Sequence, residues 1–229
     1  MTAVFRILGY MAKAPVFIAG GTGYIGKRLI RILLDEGHEV IAFARQQSIK
    51  KLPAGCKVVI GSPFDVKSYA GSIPADCVFV HMIGVSHPRP KQKDLFYSID
   101  LASLKVSVEA AKQARAKHFV YISVSQSPTK VMADYQEARR QGEEAVLASG
   151  LTSTFIRPWY VVGPGHYWPL LLQPVFKLLE IIPSTSAKAK SLALVSLKQM
   201  LIALKQAVVN PPKEQHNIVE VQDIKKTVA

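Results

Sequence analysis

A glycine-rich turn near the amino terminus constrains the fold of this chain more than any other feature. The turn, GGTGYIG at residues 20–26, joins an apolar run at residues 15–19 to a segment with helical periodicity. It satisfies both G-x-G-x-x-G and G-x-x-G-x-x-G. Glycines there let the backbone N–H groups of a helix N-terminus approach a phosphate. A structural turn between a strand and a helix is the alternative, but the context favours a site for the diphosphate of a dinucleotide.

Short β-rich runs alternate with helical patterns along most of the chain. In the first helix, Leu29 and Leu33 follow helical spacing, whereas Lys27, Arg28 and Arg31 are predicted to face water. This order predicts an α/β fold, a Rossmann-type doubly wound parallel sheet with a small C-terminal substrate-side portion. Strands are expected at residues 15–19, 40–44, 57–60, 77–81, 119–123, 152–156 and 217–221, and later helices at 96–114, 132–149 and 196–209.

The chain has 229 residues, enough for one well-buried core but few for two full domains. We expect an N-terminal extension at residues 1–14, an NAD(P)-binding core at 15–163 and a C-terminal segment at 164–229 that completes the same domain. An apolar run at 168–182, broken by Pro174, could form a lid over an apolar substrate. The alternatives for this run are a helix packed on the core of its own chain or a helix in a dimer interface. For the whole protein we expect a monomer or a homodimer.

The net charge and the cysteine content limit the kinds of binding partner and the cellular location that we expect. The 29 Lys and Arg against 16 Asp and Glu give a net charge of +13, which favours an anionic partner such as a phosphorylated cofactor. The basic residues are dispersed and no nucleic-acid motif appears, so no nucleic acid is expected. No run reaches about 18 apolar residues, so no membrane span is expected. Cys56 and Cys77 show neither metal spacing nor a disulfide framework, which predicts no metal and a cytoplasmic location.

The second predicted strand ends at Arg45. A site selective for NAD usually places Asp or Glu there, on the adenosine ribose. Arg45 instead offers a bidentate cation for a 2′-phosphate, so we expect NADP, with NAD as the alternative. A solvated charge after a strand would look the same in sequence.

Three further segments carry a family resemblance: VYISVS at residues 120–125, YQEARRQGE at 135–143 and TFIRPWYVVGPG at 154–165. Together with the glycine turn they resemble the short-chain dehydrogenase/reductase superfamily. The resemblance is closer to its atypical and extended-like NAD(P)-binding members, related to NAD-dependent epimerase/dehydratase and NmrA-like proteins. It covers roughly residue 15 to the C-terminus.

The resemblance implies a catalytic set. In catalytic members a Ser orients the substrate oxygen, a Tyr exchanges a proton with it, and a Lys four residues later binds the nicotinamide ribose and lowers the Tyr pKa. These roles fall on Ser125, with Ser123 as the alternative, on Tyr135 and on Arg139. Arg in place of Lys departs from the pattern, and the exchange is not conservative. Asp100 is a second departure, since many relatives have Asn there.

Spacing supports the pairing of two of these residues. Positions i and i+4 share a helix face, so Tyr135 and Arg139 can converge on one ligand. A Tyr with its ordinary pKa of about 10 needs a cation to act as an acid-base catalyst at neutral pH, and Arg139 could supply it. Alternatively, Tyr135 packs its ring and Arg139 lies in solvent.

The cofactor-binding residues follow from the glycine turn and from the strand ends where ligands lie in open α/β sheets. At the fourth strand end His81 is either a polar lining group or a structural histidine. Ser62 stands where relatives often have Asp. The predicted contacts are Gly20, Thr22, Gly23, Tyr24, Ile25, Gly26, Arg45, Ser62, His81, Met82, Ile83, Ser123, Pro158, Tyr160 and Val161.

These features lead to two functional hypotheses. The first is an NADP-binding oxidoreductase that transfers hydride to or from a small carbonyl or alcohol substrate, which could be apolar. The second is a non-catalytic NAD(P)-binding regulator or assembly factor of the NmrA-like kind. Ser125 and Tyr135 favour the enzyme, whereas Arg139 in place of Lys favours the regulator.

Overall fold

The computed structural model describes residues 13–167 and 190–227, and these form an α/β fold. Apolar runs of four or five residues make the central strands, which are buried on both faces as parallel strands usually are. The strands are β1 (Val16–Ala19), β2 (Val40–Ala44), β3 (Lys57–Ile60), β4 (Val78–His81), β5 (His118–Ile122), β6 (Ser153–Arg157), β7 (Tyr160–Val162), β8 (Leu194–Ser196) and β9 (His216–Glu220).

Seven of these strands form one sheet in the order β3-β2-β1-β4-β5-β6-β9, with every neighbouring pair parallel. β7 and β8 form a separate parallel pair. The strand order reverses between β1 and β4. In a doubly wound sheet the crevice outside the carboxyl ends of such strands is where ligands bind. The predicted fold class is confirmed.

Helices cover both faces of the sheet. On one face α1 and α5 pack on the aliphatic side chains of the strands, such as Val16 and Ile18. On the other face α3 and α4 pack on an aromatic layer that includes Phe17 and Phe79. The helical elements are α1 (Gly26–Asp35), α2 (Lys93–Leu95), a π-helical segment (Phe96–Leu101), α3 (Ala102–Gln113), α4 (Ala133–Ala148), α5 (Leu197–Val209) and α6 (Val221–Lys226). Short 3₁₀ turns lie at Gln46–Lys51, Val66–Ser68, Ala70–Ser72 and Pro90–Gln92.

Arg157 at the end of β6 fixes α4 to the sheet edge. Its guanidinium donates to Glu143 of α4 at 2.5 Å and to Glu220 of β9 at 2.7 Å. Arg157 and Glu143 are largely shielded from solvent, so these charge-assisted bonds hold the helix against two strands. α4 is the helix that carries Tyr135 and Arg139.

The strands and helices expected from the sequence are confirmed, most within a residue or two at their ends. The β7–β8 pair, the π-helical segment and α6 were not predicted, because segments this short carry too little periodicity. The apolar run at 168–182, for which we expected a lid or a packed helix, lies outside the described residues, and so does most of the N-terminal extension. Within the described ranges, none of the helices could cross a bilayer.

Candidate functional site

A cavity of about 930 Å³ opens at the carboxyl ends of the central strands. Gly20 follows β1, Met82 follows β4, Ser123 follows β5 and Pro158 follows β6, and all four residues line it. Its volume lies in the range of small-molecule sites. The switch point of the sheet therefore holds a cavity suited to a ligand.

The glycine turn forms one end of this cavity. Gly26 begins α1, whose N-terminus has no side-chain cap. A Cβ on Gly26 would collide with the carbonyl oxygen of Gly20 and lie 2.8 Å from the Cα of Gly21. Only glycine permits this close approach, which leaves the helix N-terminus open to an anion.

Cations surround that end. Lys27, Arg28 and Arg89 line the cavity, and none of them forms an ion pair with a described residue. The Arg28 guanidinium donates to the Tyr24 carbonyl at 2.8 Å and lies 4.3 Å from the centre of the Tyr24 ring. Lys27 and Arg28, which were expected to face water, are less exposed than Arg31. Both are half-buried, because the first turn of α1 borders the cavity.

Two histidines, His87 and His166, also line the cavity, and one of them lies close to Tyr24 of the glycine turn. The rings of His87 and His166 are 4.7 Å apart, and the His166 ring lies 6.0 Å from that of Tyr24. Burial lowers the pKa of His166, and neighbouring His87 lowers it further. Among the described residues that line the cavity there is no aspartate or glutamate. The lining therefore carries cations and imidazoles, which suits an anionic ligand.

α4 brings Tyr135 and Arg139 to the other end of the cavity. The Tyr135 ring packs edge-on against Phe96 at 5.0 Å, and the Arg139 guanidinium lies 5.2 Å from the Tyr135 ring centre. Burial raises the pKa of the Tyr135 phenol, and the Arg139 charge opposes this rise. The helical spacing thus places both side chains at one site, as i and i+4 positions allow.

Arg139 is 5% exposed, in contrast to the alternative in which it lies in solvent. Its Nη2 is 2.5 Å from Oδ1 of Asp100, and its Nη1 donates to the Ile122 carbonyl at 2.8 Å. Burial raises the pKa of Asp100, while the Arg139 charge and the Val85 N–H lower it. The two departures from the family pattern, Asp100 and Arg139, are therefore one buried ion pair.

The two candidate serines differ in position. Ser125 does not line the cavity: its N–H donates to the Pro158 carbonyl at 2.9 Å, and its carbonyl accepts from Gln136 Nε2 at 2.6 Å. Ser123 lines the cavity and is 2% exposed. Its hydroxyl is buried and has no hydrogen-bond partner among the described residues. A buried hydroxyl without a partner is rare in folded proteins, which makes Ser123 a candidate for contact with a ligand.

His81 lies beneath the cavity floor, fully buried in the sheet. Its Nδ1 is 3.0 Å from the Ser107 hydroxyl. Burial lowers its pKa to about 3, with a further contribution from the Arg139 charge, so the imidazole is neutral at neutral pH. This geometry matches the structural alternative for His81.

The sequence family can now be identified. The profile of a family described as NAD(P)H-binding matches residues 20–164, more than half of the chain. The chain belongs to this NAD(P)H-binding family. The predicted resemblance is thereby confirmed at the level of the family.

Curated relatives of this NAD(P)H-binding chain include reductases and an assembly factor. A ceramide reductase of Caulobacter vibrioides is 24% identical over 78% of this chain and 56% of its own length. A bifunctional pinoresinol-lariciresinol reductase of Forsythia intermedia is 32% identical over 76% and 57%. The photosystem II assembly factor Ycf39 of Cyanophora paradoxa is 26% identical over 62% and 44%. The chain spans about half the length of these relatives.

Solved structures share the fold of this NAD(P)H-binding chain. The Bordetella bronchiseptica enzyme WbmH, solved in complex with NAD+, has a TM-score of 0.66 at 22% identity over 90% of this chain and 74% of its own. A UDP-galactose 4-epimerase has a TM-score of 0.68 at 17% identity over 90% and 76%.

The cavity contains most of the predicted site residues. The glycine turn and the ends of the central strands line it, and so do Ser123 and Arg139, whose hydroxyl and Nε have no hydrogen-bond partner among the described residues. Predicted residues that line it are Gly20, Gly23, Tyr24, Ile25, Gly26, Met82, Ser123, Tyr135, Arg139, Pro158, Tyr160 and Val161. Predicted residues that do not line it are Thr22, Arg45, Ser62, His81, Ile83 and Ser125.

The predicted site residues do not include an apolar wall of the cavity near Tyr135. It is formed by Val85, Val124, Val131, Met132 and Trp159, of which Val131 is 66% exposed. Together these apolar side chains give the cavity a surface that suits an apolar ligand group. The sequence signal was weak, because these residues lie in loops or just before α4. In residues 13–167 and 190–227, no group of three His, Cys, Asp or Glu side chains could hold a metal ion.

Proposed function

We propose that this chain is an NADP-dependent oxidoreductase that transfers hydride to or from a small apolar carbonyl or alcohol. The observation that carries the proposal is a single cavity that is lined by the glycine turn, by Tyr135 and by Ser123, whose hydroxyl has no hydrogen-bond partner among the described residues. When bound, the nicotinamide cofactor supplies or accepts the hydride.

In the reducing direction, Tyr135 donates its phenolic proton to the carbonyl oxygen as the oxygen gains charge. Burial favours the neutral phenol, so the proton is present at neutral pH. The Ser123 hydroxyl donates a hydrogen bond to the same oxygen and thereby gains the partner that it lacks. In this proposal Ser123 takes the role that the sequence assigned first to Ser125.

The apolar wall near Tyr135 supports an apolar substrate. Val124, Met132 and Trp159 offer no charge to a polar ligand, whereas the cations Lys27 and Arg28 lie at the glycine-turn end. The names of two relatives point the same way, since one is a ceramide reductase and the other a pinoresinol-lariciresinol reductase. We therefore propose a substrate whose carbonyl is attached to aliphatic or aromatic groups.

Turnover tests this function directly. We expect NADPH to be consumed with at least one member of a panel of aliphatic and aromatic aldehydes, ketones and quinones. Tyr135→Phe should lower kcat by about 100-fold or more with little change in NADPH affinity, because it removes only the proton donor. Tyr97→Phe is the matched control, since Tyr97 does not line the cavity. Equal activity of Tyr135→Phe and the wild type would contradict the assignment of Tyr135 as the proton donor.

The two serines give a second test. Ser123→Ala should lower kcat/KM by roughly tenfold or more, because a hydrogen bond to the developing oxyanion is lost. Ser125→Ala should leave the kinetics nearly unchanged if its hydroxyl does not reach the substrate. The reverse pattern would return the catalytic role to Ser125.

NADP selectivity is proposed from Arg45, which is exposed at the end of β2. We expect Arg45→Asp to weaken NADPH binding by roughly tenfold, because a charge-assisted contact to the 2′-phosphate becomes a repulsion. NADH binding should be retained or improved. Titration of both cofactors measures the ratio, and unchanged NADPH binding would refute the selectivity.

A second candidate function is a non-catalytic NAD(P)-binding regulator or assembly factor. It is favoured by the ion pair with Asp100, which uses the Arg139 charge within the protein. The similarity to the assembly factor Ycf39 also supports it. Tight NADPH binding without turnover of any substrate in the panel would favour this function over the first.

A further inference from the structure

The Asp100–Arg139 pair joins three segments of the candidate site. Arg139 lies on α4, and its Nη1 donates to the Ile122 carbonyl, next to Ser123. Asp100 lies in the π-helical segment, and its Oδ2 accepts the Val85 N–H at 2.8 Å. α4, the end of β5 and the loop after β4 therefore meet at one ion pair.

The backbone is fitted closely to this pair. A Cβ on Gly84 would collide with Nη2 of Arg139 and lie 2.9 Å from Oδ1 of Asp100. Glycine at position 84 lets the loop after β4 lie directly on the two charges. Both charged side chains are almost completely buried, so water screens their interaction little.

The pair also faces Tyr135. The Arg139 guanidinium lies 5.2 Å from the ring centre of Tyr135 and 5.6 Å from that of Tyr121. An unpaired cation at this distance would favour a phenolate on Tyr135. The Asp100 carboxylate, 2.5 Å from the guanidinium, offsets that cation with an opposite charge. Among the described residues, the titratable groups that interact electrostatically with Tyr135 include Arg139, Asp100 and Tyr121.

We propose that Asp100 is a positioning residue that neutralises Arg139, so that Tyr135 remains a neutral phenol and serves as the proton donor for reduction. The inference rests on the proposed function for the reaction, but the protonation state of Tyr135 does not depend on turnover. A protonated Tyr can donate a proton to the oxygen of a carbonyl that is being reduced. Oxidation of an alcohol instead needs a base that accepts a proton, which a neutral phenol is not. Asp100 thus selects the direction in which the site works best near neutral pH.

The electrostatics of the two tyrosines beside Arg139 agree with this direction. Burial raises the pKa of Tyr135, the Arg139 charge lowers it, and the Asp100 charge raises it again. For Tyr121, which faces the same guanidinium, burial raises the pKa to about 12, and the Arg139 and Asp100 charges again act in opposite directions. Asp100 therefore offsets part of the effect of Arg139 on both phenols.

The experiment is an absorbance titration of tyrosinate in the full chain. The wild type minus Tyr135→Phe difference isolates Tyr135, and the same difference is measured in the Asp100→Asn background. We expect Asp100→Asn to increase the Tyr135 phenolate fraction at about pH 9 by roughly tenfold, equivalent to one pKa unit. Asp100→Glu, which keeps the charge, should restore the wild-type titration. A folded Asp100→Asn protein whose Tyr135 titrates as in the wild type would overturn the proposal.

A double variant decides the question if Asp100→Asn does not fold. Asp100→Asn with Arg139→Gln removes both charges, so Tyr135 should titrate within about threefold of the wild-type phenolate fraction at the same pH. A decrease of about tenfold or more would show that Arg139 stabilises the phenolate despite Asp100, and would overturn the proposal.

Kinetics separate this inference from the proposed function. If the protein reduces a carbonyl, the alkaline limb of its kcat profile should move to lower pH in Asp100→Asn, whereas a merely structural role would lower kcat without moving the limb. If no substrate turns over, the proposed function fails, but the tyrosinate titration still reports the effect of Asp100 on Tyr135.

Discussion

The two ends of the cavity use positive charge differently. At the glycine-turn end Lys27 and Arg28 form no ion pair with a described residue, and both are half-buried beside the opening of α1. At the Tyr135 end Arg139 is almost fully buried, and its charge is matched by Asp100. An unpaired cation keeps its charge for a ligand, whereas a paired buried cation stabilises the protein around it. Position in the cavity alone does not make a cation a ligand-binding group.

The strongest test of this contrast compares Arg139 with its neighbour Arg140. Arg139→Met should lower the free energy of unfolding by about 3–5 kcal/mol, because it leaves the Asp100 carboxylate buried without its partner. Arg140→Met should have little effect, since Arg140 is exposed in its ion pairs with Glu137 and Glu144. Urea unfolding measures both. A similar small loss in the two variants would show that the buried ion pair of Arg139 matters no more for stability than the exposed ion pairs of Arg140.

The loss in Arg139→Met should also depend on pH. Burial raises the folded-state pKa of Asp100, and without Arg139 it should rise further above the unfolded value of about 3.9. A carboxyl of this kind contributes stability that is present below the unfolded pKa and is lost as the pH rises through the folded pKa. The deficit relative to the wild type should therefore be smaller at about pH 4 than at about pH 7. A deficit that does not change with pH would contradict this account.

The next effect in size concerns the glycine turn. Gly26→Ala should weaken NADPH binding by about 3 kcal/mol, or roughly 100-fold, because its Cβ would collide with the turn backbone. Gly71→Ala is the matched control, since a Cβ there meets nothing within 4 Å. Calorimetric titration with NADPH gives the two affinities. Retained binding in Gly26→Ala would place the cofactor away from this turn.

The smallest expected effect comes from a single cation at the glycine-turn end. Arg28→Met should weaken NADPH binding by about 1–2 kcal/mol, or roughly tenfold, and the loss should shrink as salt rises. Arg31→Met on the same helix should not change the affinity, since Arg31 is exposed and does not line the cavity. Unfolding free energies of both variants should stay close to the wild type. Destabilisation by Arg28→Met without loss of affinity would assign Arg28 a structural role.

Predictability differed along the chain for a physical reason. The strand–glycine turn–helix unit at residues 15–35 was predicted well, because its apolar runs and its turn are encoded in adjacent residues. The spacing of Tyr135 and Arg139 also predicted correctly that their side chains lie together, and both line the cavity. Side chains that reach the cavity from loops, such as Val85 and Val131, gave no periodic signal and were not predicted.

Choices between alternatives needed the tertiary structure. Ser123 and Ser125 are two residues apart and equivalent in sequence, but of the two only Ser123 lines the cavity. Both N–H groups bond to the neighbouring backbone at Ile156 and Pro158, so the difference depends on how the segment after β5 packs and not on a local pattern.

The amino-acid sequence by itself determined the parallel sheet and the glycine turn of this NAD(P)H-binding chain. Both depend on short-range patterns of apolar residues and glycines, which act through local backbone geometry. Only the tertiary structure decided how Arg139 is used. Its partner Asp100 lies 39 residues away along the chain, and a buried ion pair forms only when folding brings two distant elements together and excludes water from between them.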